Sequence, residues 1–343
     1  MTNMAKMGAL LNHGPLSRRS FLLSNLAIPF YSSVGSGIER SRSRSLGWTT
    51  EEIRQRLGIS LVVYHGVDHF DYSLLEPIKA AGIRFLEVSD VWSKIKPPPY
   101  QFWDPRSIRE LGRACRDAGL KIYSFHSNLY GKRCPFKLTS LKHIDFARQE
   151  IELLLELGGE VWLSHLDQPD GLYDLENVRG LQKLARYYEG EALKITIENL
   201  PPDHGRHDIS DILQLLERVG HDQVGIAIDV GHCSEPFTVE AYRGGLNPMA
   251  VPTRARQLFL KAAPRLKHLH LHDWRYREKT GRWVDHQDPF TGKIPWIDVF
   301  QALKEVDYHG VFMFENNDLF GQSPIESVGR FPDELVSRAS NSG

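Results

Sequence analysis

The chain has 343 residues, 41% of them hydrophobic and 25% charged, a composition of the soluble globular class with room for one large domain or two ordinary ones. Lys+Arg 42 against Asp+Glu 43 leaves a net charge of -1, which argues against a nucleic-acid surface built on excess base. Three cysteines (Cys115, Cys134, Cys233) without paired spacing exclude a disulfide framework and point to folding in a reducing compartment.

The first stretch carries a paired arginine, Ser17-Arg18-Arg19-Ser20-Phe21-Leu22-Leu23, followed by a short apolar run to about Tyr31. It is similar to a twin-arginine export signal, and implies the export machinery as a partner and a periplasmic or exported location, or a cytoplasmic one if the signal is unused. The run is too short for a mature membrane span and is interrupted by Pro29. Residues 1–46 are therefore read as leader, 47–322 as the folded domain and 323–343 as a C-terminal tail.

From Trp48 onward strand and helix patterns alternate. Thr49-Thr50-Glu51-Glu52 has the form of a capping box opening a short helix. Strands are expected at Ile59–Tyr64, Ile83–Ser89, Lys121–His126, Glu160–Leu166, Lys194–Glu198, Val224–Asp229, Leu266–His272 and Val311–Glu315. Between them, helices are expected at Leu74–Ala81, Pro105–Ala118, Ser140–Leu157, about Leu175–Tyr188, Ile209–Val219, Thr253–Ala263 and Pro295–Val306, several closed by glycine. A polar loop of about twenty residues is expected after the seventh strand, a length that is usually functional when ordered. Eight strands alternating with helices, with no linker between 48 and 320, predict α/β architecture as a single (β/α)₈ barrel. A doubly wound sheet would show a Gly-rich phosphate turn after strand one, and Tyr64-His65-Gly66-Val67 is not one.

A barrel imposes parity. Outward residues must be apolar to meet the helices, and inward residues near the C-terminal mouth are free to be polar. In strand five, Leu193, Ile195 and Ile197 fall outward, Thr196 and Glu198 inward. Strand six sends Val224, Ile226 and Ile228 out and Asp229 in; strand seven sends Leu269 and Leu271 out and His268, His270 and His272 in. Strand eight ends on inward Glu315. Carboxylates crowded at one rim repel unless a cation neutralises them. Glu198, Asp229, His270 and Glu315 offer three oxygens and one nitrogen, a set suited to Mn²⁺ or Mg²⁺ and tolerant of Zn²⁺, Co²⁺ or Fe²⁺.

Four segments, Ile197-Glu198-Asn199, Asp229-Val230-Gly231-His232, His268-Leu269-His270-Leu271-His272-Asp273 and Phe314-Glu315-Asn316, together resemble the xylose isomerase-like TIM barrel superfamily, and within it the sugar phosphate isomerase/epimerase family. Thr291-Gly292-Lys293-Ile294-Pro295-Trp296 also resembles a Gly-x-Ile-Asp-Trp turn of that branch, with Pro295 in the aspartate's place. The resemblance implies a metal-dependent isomerase or epimerase of a keto-sugar or related polyol ketone. Glu198 and Glu315 would bind metal and also exchange protons with a substrate carbon through a cis-enediolate. It further implies substrate contacts from His232 and from an arginine after strand seven, with Arg275 preferred over Arg277. Glu87, on the inward face at the end of strand two, matches a family glutamate and is a candidate for substrate binding or for a structural ion pair. His126, ending strand three inward, is a further candidate. His165 and His65 read as packing or supporting residues, Asp285-His286 as solvated loop or an extra ligand pair, and the aromatic run Trp92–Trp103 as a pocket wall or a rigid surface loop.

The same site would serve a lyase of the inosose or dehydroshikimate dehydratase kind, since both begin with α-proton removal. The superfamily also includes apurinic-site endonucleases that use three zinc ions. That alternative needs extra histidine ligands, for which His126, His232 and His286 are available, and a basic rim, which the net charge speaks against. A sugar-binding barrel without catalysis is the remaining class.

Overall fold

The computed structural model describes residues 45–61, 71–89, 105–127, 144–166, 175–200, 208–233, 255–277, 279, 282–316 and 324–342. All belong to the compact unit Ser43–Gly343; the expectations placed on residues 1–44, His65, the run 92–103 and Cys134 lie outside the described residues, whereas Leu46, read as the end of the leader, is buried in the apolar core. Eight parallel strands close into a barrel: β1 (Leu57–Ser60), β2 (Phe85–Ser89), β3 (Lys121–Ser127), β4 (Val161–Ser164), β5 (Lys194–Glu198), β6 (Val224–Asp229), β7 (Leu266–Leu271) and β10 (Phe312–Phe314). The ring closes where β1 pairs with β10, Leu57 opposite Phe312 and Ile59 opposite Phe314. β1 begins two residues before the expected start because Leu57 takes part in this closure.

Around the ring run α1 (Thr50–Arg54), α2 (Leu75–Ala80), α3 (Pro105–Ala118), α4 (Ile144–Glu156), α5 (Leu175–Tyr187), α6 (Ile209–Val219), α7 (Ala255–Ala262), α8 (Trp296–Glu305) and α9 (Pro324–Asn341). The capping box at Thr49 forms as read, with Thr49 and Glu52 bonding each other's backbone N–H. α6 ends at Gly220, whose φ of 62° is the left-handed cap that glycine takes without strain. No helix of the described residues is long and apolar enough to cross a membrane.

The parity argument holds where it was made. Leu193, Ile195, Ile197, Val224, Ile226, Ile228, Leu269, Leu271, Phe312 and Phe314 all join the apolar layer between barrel and helices. Inside the tube a smaller cluster, Tyr123, Val161, Val311 and Met313 with Phe85 against it, forms a separate plug. Three strand-level features differ from the sequence reading. The register between β2 and β3 shifts after Leu86, so Ile122 pairs with Leu86 but Ser124 with Glu87. Tyr123 and Ser124 then both point inward, which period two forbids and a bulge permits. The expected polar loop contains an antiparallel hairpin, β8 (Asp273–Arg277) and β9 (Arg282–Gln287). Finally, the expected tail is α9, which buries Ile325, Val328, Phe331 and Leu335, one stripe at helical spacing.

Candidate metal centre

Each strand end delivers its inward residue to the C-terminal mouth. Glu198 follows Thr196, whose hydroxyl donates to the Trp162 carbonyl at 3.0 Å and holds β5 to β4. Asp229 is fixed by Asn199: the Asp229 N–H donates to the Asn199 side-chain oxygen at 2.9 Å, and the Asn199 amide donates back to the Asp229 carbonyl at 3.0 Å. His270 stands between the other two carboxylates, its Nδ1 2.8 Å from Glu198 Oε1 and 3.0 Å from Glu315 Oε2. One donor atom from each of Glu198, Asp229, His270 and Glu315 lies within 4.8 Å of the others. Asp229 and His270 are wholly buried, and Glu198 and Glu315 nearly so.

Burial raises the cost of charge on every carboxylate here, so something must offset it. For Glu198, burial is the largest influence, but His270, His165 and His126 overcome it and hold the carboxyl at about 2. Glu315 is held well below its ordinary range by His270 and His286 against the same burial, and Asp229 by His232 and His272. His270 is raised well above an ordinary imidazole, because Glu87, Glu198 and Glu315 outweigh its desolvation. A protonated ring is thus the counter-charge for three surrounding carboxylates. Three oxygens and one nitrogen converging on that charge are the donor set of a divalent cation, which would take over the proton's role. The residues present fit such an ion.

Further imidazoles surround the four donors. His126 Nε2 and His165 Nε2 lie 3.2 Å apart, and both approach Glu198 Oε2, at 3.3 and 3.2 Å. Burial drives His165 down to about 4, so it is neutral at physiological pH. On the other side His232 Nδ1 is 2.9 Å from Asp229 Oδ2 and 3.2 Å from the Asn199 carbonyl oxygen. That carbonyl can only accept, so Nδ1 carries a proton, and Nε2, which has no partner among the described residues, is left open. His272 Nδ1 accepts from the His286 backbone N–H at 2.9 Å and lies 3.3 Å from the Asp273 carbonyl oxygen, while its Nε2 is 2.9 Å from Asp229 Oδ1. His286 stacks on His272 with ring centroids 4.2 Å apart, and its Nε2 is 3.6 Å from Glu315 Oε2.

A family model described as a xylose isomerase-like TIM barrel matches residues 75–327. The chain belongs to that family. An uncharacterized protein of Methanocaldococcus jannaschii is 24% identical over 185 residues, 51% of this chain and 57% of that protein, so the chain spans little more than half of that relative's length. A xylose isomerase-like TIM barrel protein from Mycobacterium smegmatis, solved with magnesium, superposes with a TM-score of 0.59 at 14% identity, covering 86% of this chain and 99% of that one. D-Psicose 3-epimerase of Clostridium cellulolyticum, solved with D-tagatose, gives a TM-score of 0.55 at 14% identity, covering 84% of this chain and 97% of that one. At these identities the likeness is one of fold.

Within this xylose isomerase-like barrel the sequence-selected residues divide in two. Glu198, Asp229, His270, Glu315, His232 and His126 meet at the mouth, whereas Arg275 is exposed on β8, opposite Val284. Glu87, a candidate for substrate binding or for a structural ion pair, makes ion pairs here. It is fully enclosed, with its carboxylate against Ser124, His268 and His270 and no surface toward the mouth. His165 and His286 also stand beside the carboxylates, at positions that strand spacing does not place, for a local reason in each case. His165 lies one residue past the end of β4, where strand parity no longer applies. His286 sits at φ 53°, a left-handed conformation that no alternation pattern signals in a residue other than glycine. Gly292 had a signal: a Cβ there would strike the Trp274 carbonyl and the Asp273 carboxylate. That carboxylate accepts from the N–H groups of Trp274, Lys293 and Ile294 and from the Trp296 indole, tying the turn to the end of β7.

Proposed function

We propose that this barrel is a divalent-metal-dependent isomerase or epimerase of a keto-sugar or related polyol ketone. The observation that carries the reading is the convergence of Glu198, Asp229, His270 and Glu315 at the C-terminal mouth of a xylose isomerase-like barrel. A cation held there, Mn²⁺ or Mg²⁺ by its oxygen-rich donors, would polarise the carbonyl and neighbouring hydroxyl of the substrate and so acidify the carbon between them. Glu198 and Glu315 are ionised and belong to different strands, β5 and the end of β10. One removes the proton from that carbon, and the other returns a proton to the opposite face or to the adjoining carbon. His232 offers its unpartnered Nε2 to a substrate oxygen. His126 and neutral His165 hold Glu198 from behind, and Arg275 stands beyond the rim as a candidate for outer substrate oxygens. Phosphorylated and free keto-sugars would both present the α-hydroxy-ketone that this chemistry needs, and a lyase would differ only in losing a β-hydroxyl afterwards.

The test is metal analysis of the purified protein followed by incubation of a keto-sugar and cyclitol panel in D₂O. Deuterium at an α-carbon supports the reading; no exchange anywhere in the panel, or undiminished exchange in Glu315→Gln, overturns it.

One observation favours a second reading, a multinuclear hydrolase of the apurinic endonuclease kind. The groups His126–His165–Glu198 and Asp229–His232–His272–His286 flank the central four on either side. Against it stands the net charge of -1, which gives no basic surplus for a nucleic-acid rim. Two or three ions per chain, with cleavage of an abasic duplex, would establish the hydrolase; one ion per chain would remove it.

A further inference from the structure

Glu87 is buried to 0% exposure at the end of β2, and the substrate chemistry above gives it nothing to do. Such a carboxylate costs several kcal/mol of desolvation and persists where its partners offset that cost. Its Oε2 accepts from the Ser124 hydroxyl at 2.8 Å, and His268 Nε2 lies 3.2 Å from the same oxygen. Ser124 reaches it because of the bulge in β3 described above. These two anchors fix the carboxylate plane, and the second oxygen, Oε1, is left facing His270 Nε2 at 2.9 Å. The contact is an ion pair and not an aligned hydrogen bond, and neither atom has a hydrogen-bonding partner among the described residues.

The His270 ring therefore has one nitrogen for each environment. Nδ1 faces Glu198 and Glu315, and Nε2 faces Glu87. A neutral imidazole has one N–H and one lone pair, so binding a cation between Glu198 and Glu315 requires the proton to reside on Nε2. We propose that Glu87 is the positioning residue of the metal centre: it keeps the His270 proton on Nε2 and the lone pair on Nδ1, aimed at the cation. It acts through His270 and touches neither substrate nor metal. The proposal rests on the metal-centre reading above, and it assigns the β2 carboxylate to ligand orientation instead of substrate contact.

The test uses Mn²⁺ as the probe, titrated into wild-type, Glu87→Gln and Ser124→Ala protein after chelator treatment, with the Tm of each metal-free protein measured in parallel. Outer carboxylates of this kind are worth 10- to 100-fold in metal affinity. Glu87→Gln should weaken Mn²⁺ binding by about tenfold or more, and Ser124→Ala by less. A merely structural role would lower the metal-free Tm and leave affinity within about twofold, and that result overturns the proposal. Because Glu87→Gln could fail to fold, ¹⁵N-histidine spectra of Zn²⁺-loaded wild type give an independent answer. A His270 signal with metal on Nδ1 and hydrogen on Nε2 supports the assignment, and hydrogen on Nδ1 overturns it. Absence of any divalent binding in wild type would instead overturn the metal centre itself, so the two failures are distinguishable.

Discussion

The barrel interior contains two regions that share strands but not chemistry. At the lower end Tyr123, Val161, Val311, Met313 and Phe85 close the tube with apolar side chains. At the upper end β2, β3 and the end of β10 present Glu87, Ser124, His126 and Glu315, and β5 and β6 add Glu198 and Asp229. The change occurs within one or two residues along each strand, from Tyr123 to Ser124 on β3 and from Met313 to Glu315 just past β10. The plug can be pictured without reference to any ligand, since its members satisfy one another by packing. The mouth cannot: its buried carboxylates are offset by the imidazoles around them, or by an ion in their place. Stability belongs to the plug and its surrounding apolar layer, and reactivity to the mouth.

Four measurements would break or sharpen that division. The largest effect is expected for Glu315→Gln, which should reduce α-proton exchange by about 10²- to 10⁴-fold, with a Tm near that of wild type; an equal loss of fold and exchange would erase the distinction. Met313→Ala, in the plug, should cost about 2–5 kcal/mol of unfolding free energy. Urea titration reads that cost, and Mn²⁺ affinity per folded molecule should stay unchanged. The third is a pH dependence. In the metal-free protein the His270 pKa is raised by its carboxylate neighbours, so a cation must displace a proton from Nδ1. Mn²⁺ affinity should therefore rise by about tenfold per pH unit until pH passes that raised pKa, then level. The same shift makes the metal-free fold gain stability from His270 fully below the unfolded imidazole value of about 6.5. That increment is lost as pH rises through the folded-state pKa, and denaturation with and without Mn²⁺ across pH 6–9 (about the range needed) would show the loss in the metal-free protein alone. The smallest effect is expected for His286→Gln. Its Nε2 stands 3.6 Å from Glu315, beyond hydrogen-bond distance, so turnover should change by less than about tenfold.

The same contrast explains what could be read in advance. Glu198, Asp229, His270 and Glu315 were legible because regular strands convert sequence spacing directly into facing, and the apolar residues between them confirm the phase. The barrel followed from eight repetitions of that pattern. Ser124 was not legible, since a bulge inserts one residue without any sequence mark, and the purpose of Glu87 depended on Ser124. His286 depended on a hairpin formed by polar residues, whose backbone turns left-handed where no glycine announces it. α9 was missed for a different reason. Ile325, Val328, Phe331 and Leu335 do repeat at helical spacing, but Pro332 lies among them and discourages a helix, and burial of the stripe overrides that local preference.

The β8–β9 hairpin has a consequence for how such a site could diversify. Arg275 on β8 is exposed, and the segment is tied down at its base by the Asp273 carboxylate and Gly292. Length and composition at the tip can therefore change without disturbing the strands that carry the reacting groups. Under the proposed chemistry, a lineage could exchange one substrate for another by editing this single ribbon, while inheriting the clustered carboxylates and imidazoles intact.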